Sequence, residues 1–389
     1  MIRNFELYNP TKLIFGKDKI KDLGHYLPKD KKILLLYGKG SIKKNGIYDE
    51  VTGILKDYDY IEYGGVEANP YYETLMPAIE LCKKENIGFI LAVGGGSVID
   101  GAKFVAAGIK YKEGDPWDIL IKHVKITEST PIGAILTLPA TGSEMNGGSV
   151  ISKKATQEKF AFGSPLSNPK FSILDTDVLK SLPERQIANG IIDAFVHTTE
   201  QYMTYPIGAK LQDRFAESIL KTLVEEGPKF LADNYDEDAG ANIMFCATMA
   251  LNGTISAGVP TDWSIHSIGH ELTALYGIDH GRTLAIILPS LYKTKLENKK
   301  EKLAQFGERV WCIKEGTTEE KALKAIEKTE EFFNSLGVPT KLHEYGSEID
   351  KEFTVNEILS RFKNRGISNI GEDGILSLND MEKILTSCF

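Results

Sequence analysis

The sequence is poor in cysteine and histidine and carries no excess of positive charge. Its four cysteines, Cys82, Cys246, Cys312 and Cys388, lie far apart and form no CxxC pair. This spacing favours free thiols in a reducing compartment over a disulfide framework or a thiolate metal site. The formal net charge is -8, and no basic run with interleaved aromatic residues is present, which argues against nucleic acid as a partner.

Long apolar segments are also missing. Residues 1–5 lack the apolar core of a signal peptide, and no uninterrupted apolar run reaches the length that spans a bilayer. We therefore expect a cytoplasmic protein without a membrane partner. With 389 residues, 42% of them hydrophobic and 26% charged, the chain has the composition of a soluble globular protein and the length of two domains.

Short apolar runs alternate with helical patterns in the first half of the chain. Buried strands are predicted at residues 33–37 and 89–93 and a helix at 72–85, which indicates an α/β domain with a mainly parallel sheet. After about residue 182 the pattern is almost wholly helical. We predict an α/β domain over residues 1–182 and an all-helical domain over residues 183–389, packed around a cleft. The other predicted elements are strands at 12–15, 58–63, 132–138 and 171–175, an antiparallel pair at 149–152 and 159–162, and a helix at 47–55.

Four of the seven histidines fall in two stretches of the helical half. Asp193 and His197 lie four residues apart, so on a helix they project from the same face. His266 and His280 would complete a set of one carboxylate and three imidazoles, which suits Fe²⁺ or Zn²⁺ and leaves room for a substrate oxygen. His270 lies one helical turn after His266 and would face the same cleft. A lone buried histidine is more often structural than a ligand, but the four charge-bearing residues together predict a metal site.

A glycine-rich turn follows the strand predicted at residues 89–93. Gly94, Gly95, Gly96 and Ser97 stand where a strand meets a helix, and glycine there lets backbone N–H groups approach a pyrophosphate at the helix N-terminus. The motif is not the GxGxxG fingerprint. A plain tight turn is the alternative.

Two further polar groups of this half each allow two interpretations. Asp100 and Lys103 lie on the first turns of the helix after the glycines, where a charged solvated face is the alternative to a phosphate site. Thr137 and the residues Thr141 to Glu144 gather hydroxyls at the end of a predicted strand, where ligands of open parallel sheets bind. The stretch from Thr141 to Glu144 also has the Thr-x-x-Glu form of a capping box.

These motifs, in this order, resemble the iron-containing alcohol dehydrogenase family, in particular its butanol dehydrogenase and broad-range aldehyde reductase branch. The resemblance implies an α/β nucleotide-binding domain followed by a helical metal-binding domain, the dehydroquinate synthase-like fold, with the active site between the two. The likeness extends over nearly the whole chain and includes Asn69-Pro70, Gly94-Gly95-Gly96-Ser97-x-x-Asp100-x-x-Lys103, Thr137 through Glu144, Gly190 through His197, Asp262-Trp263, His266-x-x-x-His270-Glu271 and Asp279-His280.

Carried over residue by residue, the resemblance implies specific roles. Metal ligation falls to Asp193, His197, His266 and His280, and His270 is a candidate catalytic residue that relays a proton or orients the substrate. Many relatives have proline before the last ligand, where this chain has Asp279. The candidate cofactor-binding residues are Gly38, Ser41 and Asn69, with Gly95, Gly96, Ser97 and Asp100 at the pyrophosphate and Thr137, Thr141 and Lys159 at the nicotinamide and ribose.

The preferred nicotinamide cofactor is predicted from the turn after the second strand. NAD-preferring relatives often carry an acidic residue there, whereas this chain has Gly38. Lys39, Ser41 and Lys43 follow, and Lys44 stands close behind. Without a carboxylate to repel a 2′-phosphate, and with lysines and a hydroxyl to bind it, we expect NADP(H), with NAD(H) as the alternative.

The predicted activity is reversible hydride transfer between a nicotinamide cofactor and a primary alcohol/aldehyde pair of butanol-like size, with the metal as a Lewis acid. The resemblance also implies a homodimer. Glycerol dehydrogenase-like and dehydroquinate synthase-like enzymes are alternatives, although relatives of both kinds generally lack a ligand at the position of His197. A metal- or nucleotide-binding protein without catalytic activity is the alternative from a different class.

Overall fold

The computed structural model describes residues 1–389 and divides into two compact units. The sheet unit comprises Tyr8–Pro183 and Asp233–Asn252, and the helical unit comprises Met1–Leu7, Glu184–Ala232 and Gly253–Phe389. The single domain boundary near residue 182 stays a prediction. None of the helices has the combination of length and apolar character needed to cross a bilayer.

Six strands of the sheet unit form one parallel sheet in the order β1-β8-β5-β4-β2-β3. The central strands β2 and β4 are continuous apolar runs whose side chains are buried on both faces, as a parallel sheet covered by helices requires. The ten strands are β1 (Lys12–Gly16), β2 (Ile33–Gly38), β3 (Tyr60–Val66), β4 (Phe89–Gly94), β5 (Ile132–Leu136), β6 (Gly148–Lys153), β7 (Glu158–Gly163), β8 (Phe171–Asp175), β9 (Asn369–Ile370) and β10 (Leu376–Ser377).

The α-helices of the sheet unit bury apolar residues at helical spacing. In the helix over residues 47–55, for example, Ile47, Val51 and Leu55 are buried, which confirms the predicted 3.6-residue pattern. Six short 3₁₀ helices span Lys19–His25, Ser143–Met145, Pro165–Ser167, Thr176–Ser181, Leu342–Tyr345 and Glu372–Gly374. The α-helices are α1 (Ser41–Lys44), α2 (Ile47–Leu55), α3 (Tyr72–Lys84), α4 (Gly96–Lys110), α5 (Asp118–Ile121), α6 (Glu184–Tyr202), α7 (Lys210–Ala232), α8 (Glu237–Ala250), α9 (Ser264–Tyr276), α10 (His280–Thr294), α11 (Leu296–Arg309), α12 (Thr318–Ser335), α13 (Lys351–Asn364) and α14 (Leu378–Ser387).

The predicted fold class is confirmed by this architecture. The antiparallel pair predicted near residues 149–162 is present as β6 and β7, paired from Gly148 opposite Gly163 to Lys153 opposite Glu158. The strand predicted at residues 58–63 begins two residues later and continues to Val66. The helical unit departs from an all-helical pattern only in the two-residue pairing of β9 with β10.

Candidate metal centre and nucleotide-binding turns

Helix α6 buries its polar residues together with its apolar ones. Every residue from Gly190 to Tyr202 is buried, and Asp193 and His197 are only 3% and 5% exposed. A helix that is buried on all sides lies inside a protein core, where a charged side chain requires a partner or a metal ion. The predicted pair is therefore in the surroundings that a metal site needs.

The structure brings Asp193 together with histidines from two other helices. His266 lies in the first turn of α9, and its Nε2 is 3.8 Å from Asp193 Oδ1. His280 is the first residue of α10, and its Nε2 is 3.6 Å from the same oxygen. One ligand atom of each of the three residues lies within 4.8 Å of the other two. This geometry places one carboxylate oxygen and two imidazole nitrogens around a common point.

His197 lies beside this cluster and outside the set of three mutually close ligand atoms. Its Nδ1 is 3.6 Å from Asp193 Oδ1. Its ring stacks on the His266 ring, with centroids 4.6 Å apart and an interplanar angle of 20°. The two imidazoles therefore lie nearly parallel, and the role of His197 as a fourth ligand stays a prediction.

The residues of the cluster fit a divalent transition metal. His266 is buried, and its Nε2, which faces Asp193, makes no hydrogen bond. A buried nitrogen without a hydrogen bond is costly, and a cation bound there would remove that cost. A donor set of carboxylate and imidazole without thiolate suits Fe²⁺ or Zn²⁺.

Glu200 is a candidate functional residue that the sequence reasoning missed. It lies on α6 one turn beyond His197, and its Oε2 is hydrogen-bonded to Nδ1 of His266. Its other oxygen accepts from the backbone N–H of Ile265 at 2.6 Å. A carboxylate on one imidazole nitrogen fixes the ring tautomer and leaves the other nitrogen for a metal. The signal available in the sequence was the spacing of Asp193, His197 and Glu200, which places all three on one helical face.

Carboxylates also set the charge of the cluster. Burial lowers the pKa of His266, but the carboxylates of Glu200 and Asp193 outweigh burial and raise that pKa to about 9. The two carboxylates therefore create a negative potential at the His266 ring. Such a field favours a bound cation as it favours a proton.

His270 and Trp263 complete the aromatic surroundings. The ring centroid of His270 lies 5.2 Å from that of His280 and 6.0 Å from that of His266, so the structure brings this predicted residue to the cluster. Trp263 lies 5.4 Å from the His266 ring and 6.2 Å from the His197 ring. The indole provides an apolar wall beside the imidazoles.

Several of the predicted nucleotide-binding residues lie at the carboxyl ends of parallel strands in the sheet unit. Gly38 ends β2, Gly94 ends β4, and Thr137 directly follows β5, where its N–H donates to Gly94 O at 3.0 Å. Ligands of open parallel sheets bind at this edge. The register of β2, β4 and β5 therefore gathers residues that are distant in the sequence.

The turn between β4 and α4 has the geometry of an anion site. Gly95 is the N-cap of α4, and the first backbone bond of the helix joins Val98 N to Gly95 O at 3.0 Å. The N–H groups of Gly96 and Ser97 precede that bond and carry the positive end of the helix dipole. A Cβ atom on Gly96 would lie 2.3 Å from Oγ1 of Thr141. Glycine is therefore required at residue 96 by a close approach to a predicted cofactor contact.

Asn69 links two other predicted cofactor residues. Its N–H donates to Ser97 Oγ at 3.2 Å, and its Oδ1 accepts from Lys159 Nζ at 2.9 Å. Asn69 adopts the left-handed conformation with φ 55°, which asparagine tolerates better than most residues. The three residues thus form one polar group beside the glycine-rich turn.

Asp100 and Lys103 do not lie on a solvated face, and that interpretation was wrong. Both are buried. Asp100 accepts from Ser143 Oγ at 2.5 Å and from the N–H of Val150 at 2.9 Å, while Lys103 Nζ donates to Ser143 Oγ at 2.8 Å and to Gly148 O at 2.6 Å. Burial lowers the pKa of Lys103 to about 8. Both side chains tie α4 to residues 143–150, and contact of Asp100 with a cofactor stays a prediction.

The capping-box interpretation of Thr141 to Glu144 was also wrong. Gly142 adopts φ 61°, and only the 3₁₀ helix Ser143–Met145 follows it. Thr141 Oγ1 accepts from the N–H of Ser143 at 3.2 Å, and the buried Glu144 carboxylate accepts from Thr248 Oγ1 at 2.6 Å. The left-handed glycine turns the chain before an α-helical first turn can form.

The turn after β2 holds a lysine over two aromatic rings. Nζ of Lys43 lies 4.5 Å from the ring centroid of Tyr48 and 5.0 Å from that of Tyr37. Both tyrosine hydroxyls donate to Glu62, at 2.9 Å and 3.2 Å respectively. Ser41, the first residue of α1, is exposed beside this group. Cation–π contacts of this kind restrain a lysine that would otherwise be mobile.

Comparison with known families and structures agrees with the motifs. Residues 10–176 match the family described as iron-containing alcohol dehydrogenase, and residues 187–362 match the C-terminal part of the Fe-containing alcohol dehydrogenase family. The chain is 49% identical over 385 residues to the NADPH-dependent aldehyde reductase YqhD of Escherichia coli, covering 98% of this chain and 99% of that protein. It is 43% identical to NADH-dependent butanol dehydrogenase A of Clostridium acetobutylicum, covering 90% of each chain.

Solved structures show the same fold. The crystal structure of YqhD from E. coli K-12 superposes with a TM-score of 0.97 at 48% identity, covering 100% of this chain and 99% of that one. NADH-dependent butanol dehydrogenase A of Thermotoga maritima superposes with a TM-score of 0.93 at 36% identity, covering 99% and 98%. The expected family is confirmed: the chain belongs to the iron-containing alcohol dehydrogenases.

Proposed function

We propose that this protein is a metal-dependent, NAD(P)H-linked aldehyde reductase and alcohol dehydrogenase for primary alcohol/aldehyde pairs of butanol-like size. The observation that carries the proposal is the convergence of ligand atoms from Asp193, His266 and His280 within 4.8 Å of one another. The relatives named NADPH-dependent aldehyde reductase and NADH-dependent butanol dehydrogenase support the reaction class.

Asp193, His266 and His280 would hold the metal ion, with His197 as the fourth ligand. Fe²⁺ or Zn²⁺ bound there supplies Lewis acidity toward the oxygen of the aldehyde or alcohol. Asp193 lowers the net charge of the centre, and Glu200 keeps Nε2 of His266 directed at Asp193. Trp263 shields the imidazoles with an apolar surface and favours an aliphatic substrate chain.

His270 acts as the proton relay or as an orienting group for the substrate. It is half-buried and lies one turn after His266 on α9, with its ring 5.2 Å from that of His280. Replacement of His270 by glutamine should lower kcat by about 100-fold, the lower range for loss of a general acid–base group. Metal content should be unchanged, and a variant with full kcat would remove His270 from the mechanism.

The cofactor contacts are proposed for the sheet unit. The N–H groups of Gly95, Gly96 and Ser97 bind the pyrophosphate, while Thr137, Thr141 and Lys159 bind the nicotinamide and its ribose. Asn69 positions Lys159 through its Oδ1. Asp100 follows the turn on α4 and ties that helix to residues 143–150.

NADP(H) is the proposed preference of the two nicotinamide cofactors. Gly38 places no carboxylate at the end of β2, and Lys43 and the exposed Ser41 offer a cation and a hydroxyl for a 2′-phosphate. Glu62 is engaged by two tyrosine hydroxyls. A relative 49% identical is named NADPH-dependent, whereas relatives at 40–43% identity include both NADH-dependent and NADP-dependent enzymes. The preference therefore requires its own measurement.

Self-association and cellular location are proposed from the surface and the thiols. Ile2, Phe5 and Leu7 at the amino terminus are exposed apolar side chains, which suit an interface with a second copy of the chain. Light scattering at several concentrations tests the homodimer.

All four cysteines are free, as expected in the reducing cytoplasm.

Oxidation of NADPH followed at 340 nm with butyraldehyde is the direct test of the proposed reaction. We expect turnover with butyraldehyde and slower turnover with NADH. Activity confined to glycerol with NAD⁺, or to cyclisation of a phosphorylated sugar acid, would instead support the glycerol dehydrogenase-like or dehydroquinate synthase-like alternative. Absence of turnover from a metal-loaded protein would support the remaining alternative, a metal- or nucleotide-binding protein without catalytic activity.

A further inference from the structure

Asp279 stands at the N-cap of α10, immediately before His280, and does not act as a cap. An aspartate at this position usually accepts hydrogen bonds from the first N–H groups of its own helix. Here no side-chain cap bond is present. The carboxylate turns to α6 instead, where Oδ2 accepts from Arg185 Nε at 2.7 Å and from Asn189 Nδ2 at 2.8 Å.

Two more contacts join the same segments. A Cβ atom on Gly281 would lie 2.4 Å from the carbonyl oxygen of Asn189, so the backbones of α10 and α6 touch at this point. Nε of Arg282 donates to Asn189 Oδ1 at 3.1 Å. Asn189 precedes Asp193 by one helical turn on α6. The residues on both sides of His280 are therefore held by the helix that carries Asp193.

We propose that Asp279 is a positioning residue for the metal centre, and that its bonds to Arg185 and Asn189 keep His280 Nε2 directed at Asp193 Oδ1. This inference rests on the proposed ligation of metal by His280. Loss of the bonds would leave α10 folded, because its remaining contacts persist, but would let its first residue shift. A shift of the ligand weakens metal binding without removing a donor atom.

The expected effect is moderate because the group is partly exposed. The Arg185 and Asp279 side chains are 64% and 36% exposed, and an exposed ion pair by itself contributes little to stability. Substitution of Asp279 by alanine should therefore weaken Fe²⁺ or Zn²⁺ binding by about 3- to 10-fold, less than loss of a fully buried supporting group.

Metal dissociation constants of the full-length protein, measured by competition with a chromogenic chelator, test the proposal. Asp279→Ala and Arg185→Met should each weaken binding, and Asp279→Ala should weaken it more because it also removes the bond from Asn189. The double variant should lose no more than Asp279→Ala alone, because the interaction that Arg185→Met removes is already lost there. Asp279→Asn keeps a side-chain oxygen that can accept from Arg185 Nε and Asn189 Nδ2 and should retain more affinity than Asp279→Ala. Lys293→Met removes an ion pair to Glu330 at the other end of α10 and should leave affinity unchanged.

The outcomes separate the two proposals. Wild-type affinity in Asp279→Ala or Arg185→Met, or additive losses in the double variant, would overturn the positioning role. Failure of the wild-type protein to bind either metal would overturn the proposed function instead. The Tm of each metal-free variant is measured as well. If Lys293→Met also lowered the Tm and weakened metal binding, the losses would follow general stability, and the specific role of Asp279 would be overturned.

Discussion

The candidate metal centre and the glycine-rich turn are built from different parts of the chain. The metal centre uses side chains from α6, α9 and α10, with ligand atoms of Asp193, His266 and His280 within 4.8 Å of one another. The turn between β4 and α4 offers backbone N–H groups. It requires glycine at residue 96, because a Cβ atom there would lie 2.3 Å from Thr141 Oγ1. One site depends on which donor atoms are present, and the other on how closely the backbone of Gly96 approaches the side chain of Thr141.

This difference determines how each site fails. Removing a side chain from the metal centre removes a donor, so binding and chemistry are lost with little change in shape. Adding a side chain to the turn removes no donor, but steric conflict displaces the N–H groups. The following predictions use this contrast.

Alanine at His266 or His280 should have the largest effect. Each substitution removes an imidazole ligand, so metal binding and turnover should be lost together. The kcat/KM for butyraldehyde should fall by at least about 1,000-fold, since Lewis-acid stabilisation amounts to several kcal/mol. Elemental analysis and steady-state kinetics on the same preparations check this. Retention of activity without metal would show that the cluster is structural.

The substitution Glu200→Gln should weaken the metal centre without removing a ligand. The new side chain would keep a hydrogen-bonding group of similar size, but its neutral amide would no longer hold the Nδ1–H of His266 as a carboxylate does. We expect metal affinity to fall by about 10- to 100-fold. Glu217→Gln is the matched control, because Glu217 is a buried glutamate of the same unit that bonds Tyr202 and Arg309. Equal losses of metal affinity in both variants would mean that Glu200→Gln acts through general stability and not through the bond to His266.

Alanine at Gly96 should impair cofactor binding and leave the metal in place. The added Cβ would lie 2.3 Å from Thr141 Oγ1, so the turn must shift, at a cost of about 1–3 kcal/mol in unfolding free energy. NADPH affinity, measured by fluorescence titration, should fall by about tenfold, a difference of about 1.4 kcal/mol. In the control Gly53→Ala, the new Cβ on α2 meets no atom within 4 Å, and unfolding in urea should show a slight gain in stability. Normal NADPH affinity in the Gly96 variant would contradict the assigned turn.

Removal of the charge at Lys43 should give the smallest change. Lys43→Met keeps an apolar stem over Tyr37 and Tyr48 but removes the cation proposed for the 2′-phosphate. The ratio of kcat/KM with NADPH to that with NADH should fall by about fivefold, as expected for one exposed charge. Lys44→Met, one position away on the same short helix, should change the ratio less. A wild-type protein that clearly prefers NADH would overturn the proposed NADP(H) preference.

The sequence predicted more of the metal centre than of the turns. Asp193 and His197 could be placed on one helical face because their four-residue spacing follows helix geometry, and the continuous apolar runs of β2 and β4 predicted a buried parallel sheet. Glu200 was missed because its role depends on a contact with His266, which is 66 residues away in the chain. The helical spacing places Glu200 on the same face as Asp193 and His197, but no local pattern identifies its partner on another helix.

The errors in the sheet unit have the same origin. Thr141 and Glu144 have the spacing of a capping box, but the left-handed Gly142 between them determines the local backbone. Asp100 and Lys103 have the residue types of a solvated face. In the structure both are buried, and backbone groups of β6 form hydrogen bonds with their charged atoms. Local spacing therefore predicts helical faces well and predicts tertiary partners poorly.

Metal exchange combined with elemental analysis tests the central claim most directly. The protein is stripped with a chelator, shown to be metal-free, and assayed for NADPH-dependent reduction of butyraldehyde before and after addition of Fe²⁺ or Zn²⁺. We predict that activity is lost on stripping and returns with about one metal ion bound per chain. Full activity of the metal-free protein would contradict the account.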